Sequence, residues 1–309
     1  MRIASLLPSA TELLFAIGAG PDVVGVTHEC DWPPEAQGLP VLTRSLVDHA
    51  GSSSAEIDRH IRGALHQGSG IYALDAERLA ELRPDLIVTQ ELCEVCAVSY
   101  RQVKSAVREL PGEVPILSLE PASLEDIMET ALVLGRATGH EDGAERLVVA
   151  MRQRIAAVEA LPPVAAERPG VACLEWTEPL MAGGHWVPEM VRRAGGDDLL
   201  GAEGERSAEI AWADVAEAAP DAMVLMPCGF GLERSLECAG EVTSRPGFDA
   251  LPCARSGRVA AVDGSSYFNR PGPRLVQGLE LLAAILRTPP GVPLPDGAAW
   301  VPLRTAAPS

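Results

Sequence analysis

The sequence predicts an α/β protein of two Rossmann-like lobes joined by a long rigid interlobe helix. Three observations predict it. Short apolar runs, among them Leu86-Ile87-Val88 and Met223 to Met226, alternate with amphipathic helical stretches, the pattern of parallel strands buried on both faces. Residues 122–161 carry no strand signal, and Ala144 to Leu161 holds helical period over about five turns. The two halves also echo each other. A helix runs into Arg83-Pro84-Asp85-Leu86-Ile87-Val88 in one and into Ala219-Pro220-Asp221-Ala222-Met223-Val224 in the other, and each then enters a cysteine-bearing loop and a helix. The boundaries that follow are 1–120 for the first lobe with an insertion at 44–70, 121–168 for the helical backbone, 169–288 for the second lobe and 289–309 for a Pro/Ala-rich surface tail.

Taken in order, Arg2 to Leu7 is a first strand, and Ser9-Ala10-Thr11-Glu12 has the S-x-x-E spacing of a capping box that opens a helix with Leu13, Leu14 and Ile17 on its buried face. Gly18 and Gly20 end that helix. Val23 to Val26 is a second strand, followed by the loop Thr27 to Pro34. Residues 75–82 are helical and lead into the central unit: the strand at 86–88, a loop carrying Cys93-x-x-Cys96, and a helix from about Val98 to Leu110 with Val103, Ala106 and Val107 on one stripe. Val114 to Leu117 is a further strand. Ser123 to Asp126 caps a helix that ends near Gly139, and the Pro-rich stretch 162–169 closes the long helix after it. The second half repeats the alternation: a strand at 170–176, a loop through Gly183 to Trp186, helices at 187–194 and 211–219, strands at 223–226 and 259–262, and a closing helix at 274–287.

Composition narrows the function. Of the 309 residues 47% are apolar and 22% charged, as in soluble globular proteins, and no apolar run approaches the ~20 residues of a membrane span. A net charge of −18 excludes nucleic-acid or anionic-membrane binding by bulk electrostatics and favours solubility. Lys104 is the only lysine. The apolar run at the start is too short for a secretory signal and reads as a strand, so the chain is expected in the cytoplasm. Seven cysteines in a reducing compartment read as free thiols or ligands rather than a disulfide framework.

The segments Leu7-Pro8-Ser9-Ala10-Thr11-Glu12-Leu13, Asp22 to Val26, Trp32-Pro33-Pro34-Glu35-Ala36, Leu82 to Ile87, Ala194-Gly195-Gly196-Asp197 and Ser266-Tyr267-Phe268-x-Arg270-Pro271-Gly272-Pro273-Arg274 together resemble the class III substrate-binding proteins, in particular the cobalamin-binding members that serve ABC importers. The resemblance spans most of residues 2–287. It implies two α/β lobes on one long helix, with a metal, siderophore, haem or corrinoid held in the cleft. The sequence departs from the family in three ways. It shows no export signal. It carries the 44–70 insertion and the C-x-x-C. And Tyr100 stands just before Arg101-Gln102-Val103, where the family has a glutamate that docks on the transporter, which argues against docking on an ABC permease.

Within that frame Pro8-Ser9, His28 to Trp32 and Glu91 to Cys96 face Trp176, Gly183 to Trp186, Cys228 to Phe230 and Tyr267 to Arg270. A corrinoid, a large apolar disc edged with amides, wants aromatic walls and a few donors. The candidate ligand residues are therefore Pro8, Ser9, Trp32, Glu91, Trp176, His185, Trp186, Phe230, Tyr267, Phe268 and Arg270, against the alternative that some of these rings are ordinary core. Six of the twelve aromatic residues fall in these loops. A second reading is direct ligation of zinc or iron by His28, Cys30, Cys93 and Cys96, three thiolates and an imidazole that fit a tetrahedral site, against the alternative of a buried Cys30 and spectator thiols. His185 and Cys228, from the other lobe, could complete a cleft site or touch a cobalt axial position. No G-x-S-x-G, P-loop or G-x-G-x-x-G after the first strand is present, so a binding protein is expected rather than an enzyme, with a metal-dependent enzyme on the same scaffold as the third reading.

Overall fold

The computed structural model describes residues 1–46, 52–66, 71–90, 100–107 and 113–303. They divide into two compact units, one of Met1–Pro121, Glu125–Met151 and Pro271–Pro273, the other of Ala122–Leu124, Arg152–Arg270 and Arg274–Ser309.

In the first unit β1 (Ile3–Ser5) leads into α1 (Pro8–Ala16), then β2 (Val23–Gly25), β3 (Thr43–Ser45), α2 (Ser54–His66), β4 (Tyr72–Leu74), α3 (Ala76–Leu82), β5 (Leu86–Thr89), α4 (Tyr100–Val107), β6 (Ile116–Ser118) and α5 (Leu124–Thr138). A parallel sheet of order β2-β1-β5-β6 forms its centre. All four residues of β5 are buried, as a strand covered on both faces requires. Ala4, Leu6, Leu42, Leu79, Ile87 and Val103 make the core beside it. β3 and β4 pair antiparallel and bracket α2, so the described part of the 44–70 stretch is a hairpin-like excursion with its own helix.

The start of α1 differs from the capping-box expectation. The helix begins at Pro8, behind an extended Leu7, with no side-chain cap. Proline at the first helical position lacks an N–H that would be unpaired anyway, and its fixed φ is already helical. Ser9 and Glu12 are therefore buried residues within the helix, each 2% exposed. After α5, Gly139 takes a left-handed φ of +72° and α6 (Glu141–Glu159) begins; its residues are shared between the units, which divide after Met151. A Cβ on Gly143 would lie 1.8 Å from the Ile17 carbonyl oxygen, so α6 touches the end of α1 backbone to backbone.

The second unit runs β7 (Gly170–Thr177), β8 (Leu180–Ala182), α7 (Val187–Ala194), β9 (Asp197–Asp198), β10 (Ala208–Glu209), α8 (Trp212–Ala218), β11 (Ala222–Leu225), α9 (Leu232–Cys238), α10 (Gly240–Thr243), α11 (Pro252–Ser256), β12 (Val259–Val262), α12 (Gly264–Tyr267), α13 (Leu275–Arg287) and β13 (Ala298–Trp300). The sheet order is β10-β8-β7-β11-β12-β13, with β9 beside the first residues of β7. β7, β9, β11 and β12 are parallel, whereas β8, β10 and β13 are antiparallel additions. β13 lies within the stretch read from sequence as a surface tail. Its partner strand is β12, and Ala298 and Val301 are buried.

The sequence echo has a structural counterpart. α3 and α8 each end on a non-glycine residue in the left-handed region, Arg83 at φ +44° and Ala219 at φ +45°. A proline follows each. Then comes an aspartate whose Oδ2 accepts an N–H at the entry to the first strand of its unit, that of Arg2 just before β1 for Asp85 at 2.8 Å and that of Gly170 opening β7 for Asp221 at 2.9 Å.

Candidate functional site

In open parallel sheets ligands bind outside the carboxyl ends of the strands. In the first unit that edge carries the β1–α1 junction and the loop after β2. Pro8 and Ser9 are buried there, and Ser9 Oγ has no hydrogen-bond partner. Cys30, 6% exposed, places its sulfur 3.1 Å from both the Thr11 and the Thr27 hydroxyls, while Thr11 Oγ1 donates to Ser5 Oγ at 2.8 Å. This small polar network fixes the loop on α1. His28 is exposed: its Nδ1 lies 2.7 Å from Thr43 Oγ1, and its ring lies 5.3 Å from that of Tyr72. Trp32 is 46% exposed and borders an open groove of about 660 Å³ with Glu12, Phe15, Pro33, Leu39 and Pro273. Glu91, Cys93 and Cys96 lie outside the described residues. Among the described residues no three histidine, cysteine, aspartate or glutamate side chains come together to hold a metal.

In the second unit the carboxyl edge gathers Trp176 from the end of β7, Phe230 from the loop after β11, and Tyr267 to Arg270 from α12 and the loop after it. The Trp176 and Phe230 rings meet at 5.2 Å, tilted by 54°, and the Arg234 guanidinium lies 5.3 Å from the Phe230 ring. Trp176 is anchored by its indole N–H, which donates to the Glu178 carbonyl at 3.1 Å. The Ser265 N–H donates to the Phe230 carbonyl at 3.0 Å, tying the β11 and β12 loops together. Tyr267 and Arg270 are half-buried, and the Arg274 guanidinium lies 5.9 Å from the Tyr267 ring.

Four of the rings expected at the ligand are buried: Trp176, Trp186 and Phe230 are each 8% exposed and Phe268 1%, and Trp186 donates its indole N–H to the Phe268 carbonyl at 2.7 Å. An aromatic-rich loop signal does not separate a ring that faces outward from one that plugs the unit beneath it. His185 is half-buried at φ +53°, its ring 5.4 Å from Trp186. Burial first, and then Arg206, holds its imidazole below the ordinary histidine range, so it is neutral at physiological pH.

Sequence reasoning missed Glu175. Its carboxylate accepts the Ser207 hydroxyl; burial raises its pKa, while that bond and the nearby Gly184 N–H and Asn269 amide pull the other way. The signal was present: a lone acidic residue inside the apolar strand Val171-Ala172-Cys173-Leu174-Glu175-Trp176. Asp198, beside β7, is raised by burial too, although its Oδ1 accepts the Leu200 and Gly201 N–H groups at 2.9 and 2.8 Å. Burial also lifts the thiols of Cys173, Cys238 and Cys253, the last two to about 11.

The family model described as "Periplasmic binding protein" matches residues 3–265. The chain belongs to the periplasmic binding protein family. It is 24% identical over 294 residues, 91% of its own length and 78% of the relative's, to an uncharacterized ABC transporter substrate-binding lipoprotein, YvrC, of Bacillus subtilis. Over 155 residues it is 26% identical to a vitamin B12-binding protein of Pectobacterium atrosepticum, which covers 50% of this chain and 43% of that one. The periplasmic heme-binding protein RhuT from Roseiflexus superposes with a TM-score of 0.67 at 24% identity, covering 93% of this chain and 97% of the other, and so shares its fold.

Membership settles the class: this is a substrate-binding protein of the kind associated with ABC transporters, and a small-molecule binder rather than an enzyme. It also overturns the cytoplasmic expectation, because the family is periplasmic and the relative matched over 91% of this chain is a lipoprotein. That expectation rested on the first residues of the sequence alone. No helix among the described residues is long and apolar enough to cross a membrane.

Proposed function

We propose that the protein binds a corrinoid of the cobalamin type and presents it to an ABC permease. The observation that carries this reading is the aromatic cluster at the carboxyl edge of the second unit, where the largely buried Trp176 and Phe230 pack together and Tyr267 follows at the end of α12. A corrin ring is a broad apolar disc with amides on its rim. It gains most from flat aromatic surface and a few donors, such as the half-buried Arg270. The vitamin B12-binding relative supports the same ligand class, and the lipoprotein relative supports the permease. The position of Tyr100 bears on which groups would dock, not on whether the family works with a permease.

A haem is the second reading. Arg234 beside Phe230 and Arg274 beside Tyr267 set cations along the aromatic surface, which suits a tetrapyrrole bearing carboxylates better than one bearing amides. Calorimetric titration with cyanocobalamin, cobinamide and haemin separates the two. Saturable one-to-one binding of cyanocobalamin or cobinamide at micromolar affinity or better, weakened at least tenfold by Trp176→Ala, supports the corrinoid. Binding of haemin alone, lost in Arg234→Ala, replaces it.

A further inference from the structure

We propose that Glu175 is a positioning residue, whose carboxylate ties three loops of the second unit into one ligand-facing surface; the inference rests on the reading that these loops hold the ligand. Glu175 lies in β7 between Leu174 and Trp176, both buried. One loop donates the Ser207 hydroxyl to it, and the Gly184 N–H, next to His185, and the Asn269 amide, between Tyr267 and Arg270, bring favourable dipoles from two others. The Glu175 carbonyl adds a fourth attachment, accepting the Cys228 N–H at 3.0 Å from the loop that carries Phe230.

The same loops are also held by contacts among themselves. The first two touch backbone to backbone: a Cβ on Gly184 would lie 2.3 Å from the Ser207 nitrogen, and the His185 N–H donates to the Glu205 carbonyl at 2.5 Å. The third is anchored through Asn269, whose N–H donates to the Gly264 carbonyl at 2.9 Å and whose side-chain amide lies 3.4 Å from the Met226 carbonyl. Burial works against a carboxylate in an apolar strand. Here donor groups from three separate segments face one carboxylate, the Ser207 hydroxyl bonded to it directly. Ser207, Asn269 and Gly184 need not touch the ligand; through Glu175 they fix the spacing of the residues that do.

The test is hydrogen exchange by mass spectrometry on the full chain, with cyanocobalamin affinity measured on the same samples, for the wild type, Glu175→Gln and Glu175→Ala. Gln keeps the shape and one accepting oxygen, whereas Ala removes both carboxylate oxygens. In Glu175→Ala, exchange in 183–186, 204–207 and 264–270 rises severalfold and the cyanocobalamin Kd weakens by about tenfold, the size of losing one charge-assisted bond. Glu175→Gln restores most of both, and β1 and β5 are unchanged throughout. Unaltered exchange in the three segments of Glu175→Ala overturns the proposal, as does a rise spread evenly over the unit that Gln fails to rescue. Wild-type protein that shows the exchange pattern but binds no cyanocobalamin leaves the positioning role standing and removes the corrinoid reading instead.

Discussion

At the scale of single residues, Trp186 and Phe268 show how a ring can belong to a binding loop in sequence and to the interior in space. Trp186→Phe keeps the apolar bulk but leaves the buried Phe268 carbonyl without its 2.7 Å donor. A loss of about 1–3 kcal/mol in urea unfolding is expected, with ligand affinity unchanged. Phe268→Ala empties a site that is 1% exposed and is expected to cost about 3–5 kcal/mol. Glu175 and Asp198 set a pH dependence of opposite sign to that of ordinary surface carboxylates. Burial raises both above their usual 4.5 and 3.8, so the folded chain holds these protons more tightly than the unfolded chain does. Their contribution is fully present below the ordinary values and is lost as pH rises through the raised ones. Thermal melts from pH 7.5 to 5 test this: the Tm of the wild type relative to Glu175→Gln increases as the pH falls. Glu203, held low by its hydrogen bond to Arg192, acts in the other direction and only below 4.5, so it leaves this window clear. The raised thiols of Cys173, Cys238 and Cys253 make a further prediction. Iodoacetamide at pH 8 leaves all three unmodified in the native protein and alkylates them in 6 M guanidinium, as peptide mapping will show.

At the scale of elements, the paired Asp85 and Asp221 hold the same place in the two units, each receiving the N–H at the start of the first strand after a left-handed residue and a proline. Both are exposed, so Asp85→Ala and Asp221→Ala are expected to cost only about 1 kcal/mol each. Gly278 in α13 is far less forgiving. A Cβ there would lie 2.1 Å from the Tyr267 carbonyl oxygen, so Gly278→Ala must push the helix and the Tyr267 segment apart. A loss of about 1–3 kcal/mol together with weakened ligand binding is the expected result. Much at this scale was legible beforehand. Buried parallel strands read as unbroken apolar runs, as in β5, β11 and β12, and α7 and α13 showed their helical faces. The antiparallel additions were not legible. β8, β10 and β13 are only two or three residues long, too short for an alternating pattern to rise above the surrounding glycines and prolines. The start of α1 was misread because Ser9 and Glu12 have capping-box spacing, which spacing alone cannot distinguish from two buried helix residues behind a proline. The hub at Glu175 was hidden for a different reason: its three partners lie 9, 32 and 94 positions along the chain, at Gly184, Ser207 and Asn269.

At the scale of the whole molecule, the chain is a substrate-binding protein with two α/β units, and its net charge of −18 sets a limit on what it attracts. A dianionic ligand approaches such a surface against long-range repulsion, whereas an amide-rimmed corrinoid does not. If cyanocobalamin is the ligand, its association rate should change little between 20 and 300 mM salt. Haemin association would rise with salt. The measurement that tests the central claim most directly is the calorimetric titration of the wild-type chain and Trp176→Ala with cyanocobalamin. The account predicts one site per chain at micromolar affinity or better in the wild type, weakened at least tenfold when the indole that packs on Phe230 is removed. No heat of binding in the wild type, or an affinity untouched by Trp176→Ala, would contradict it.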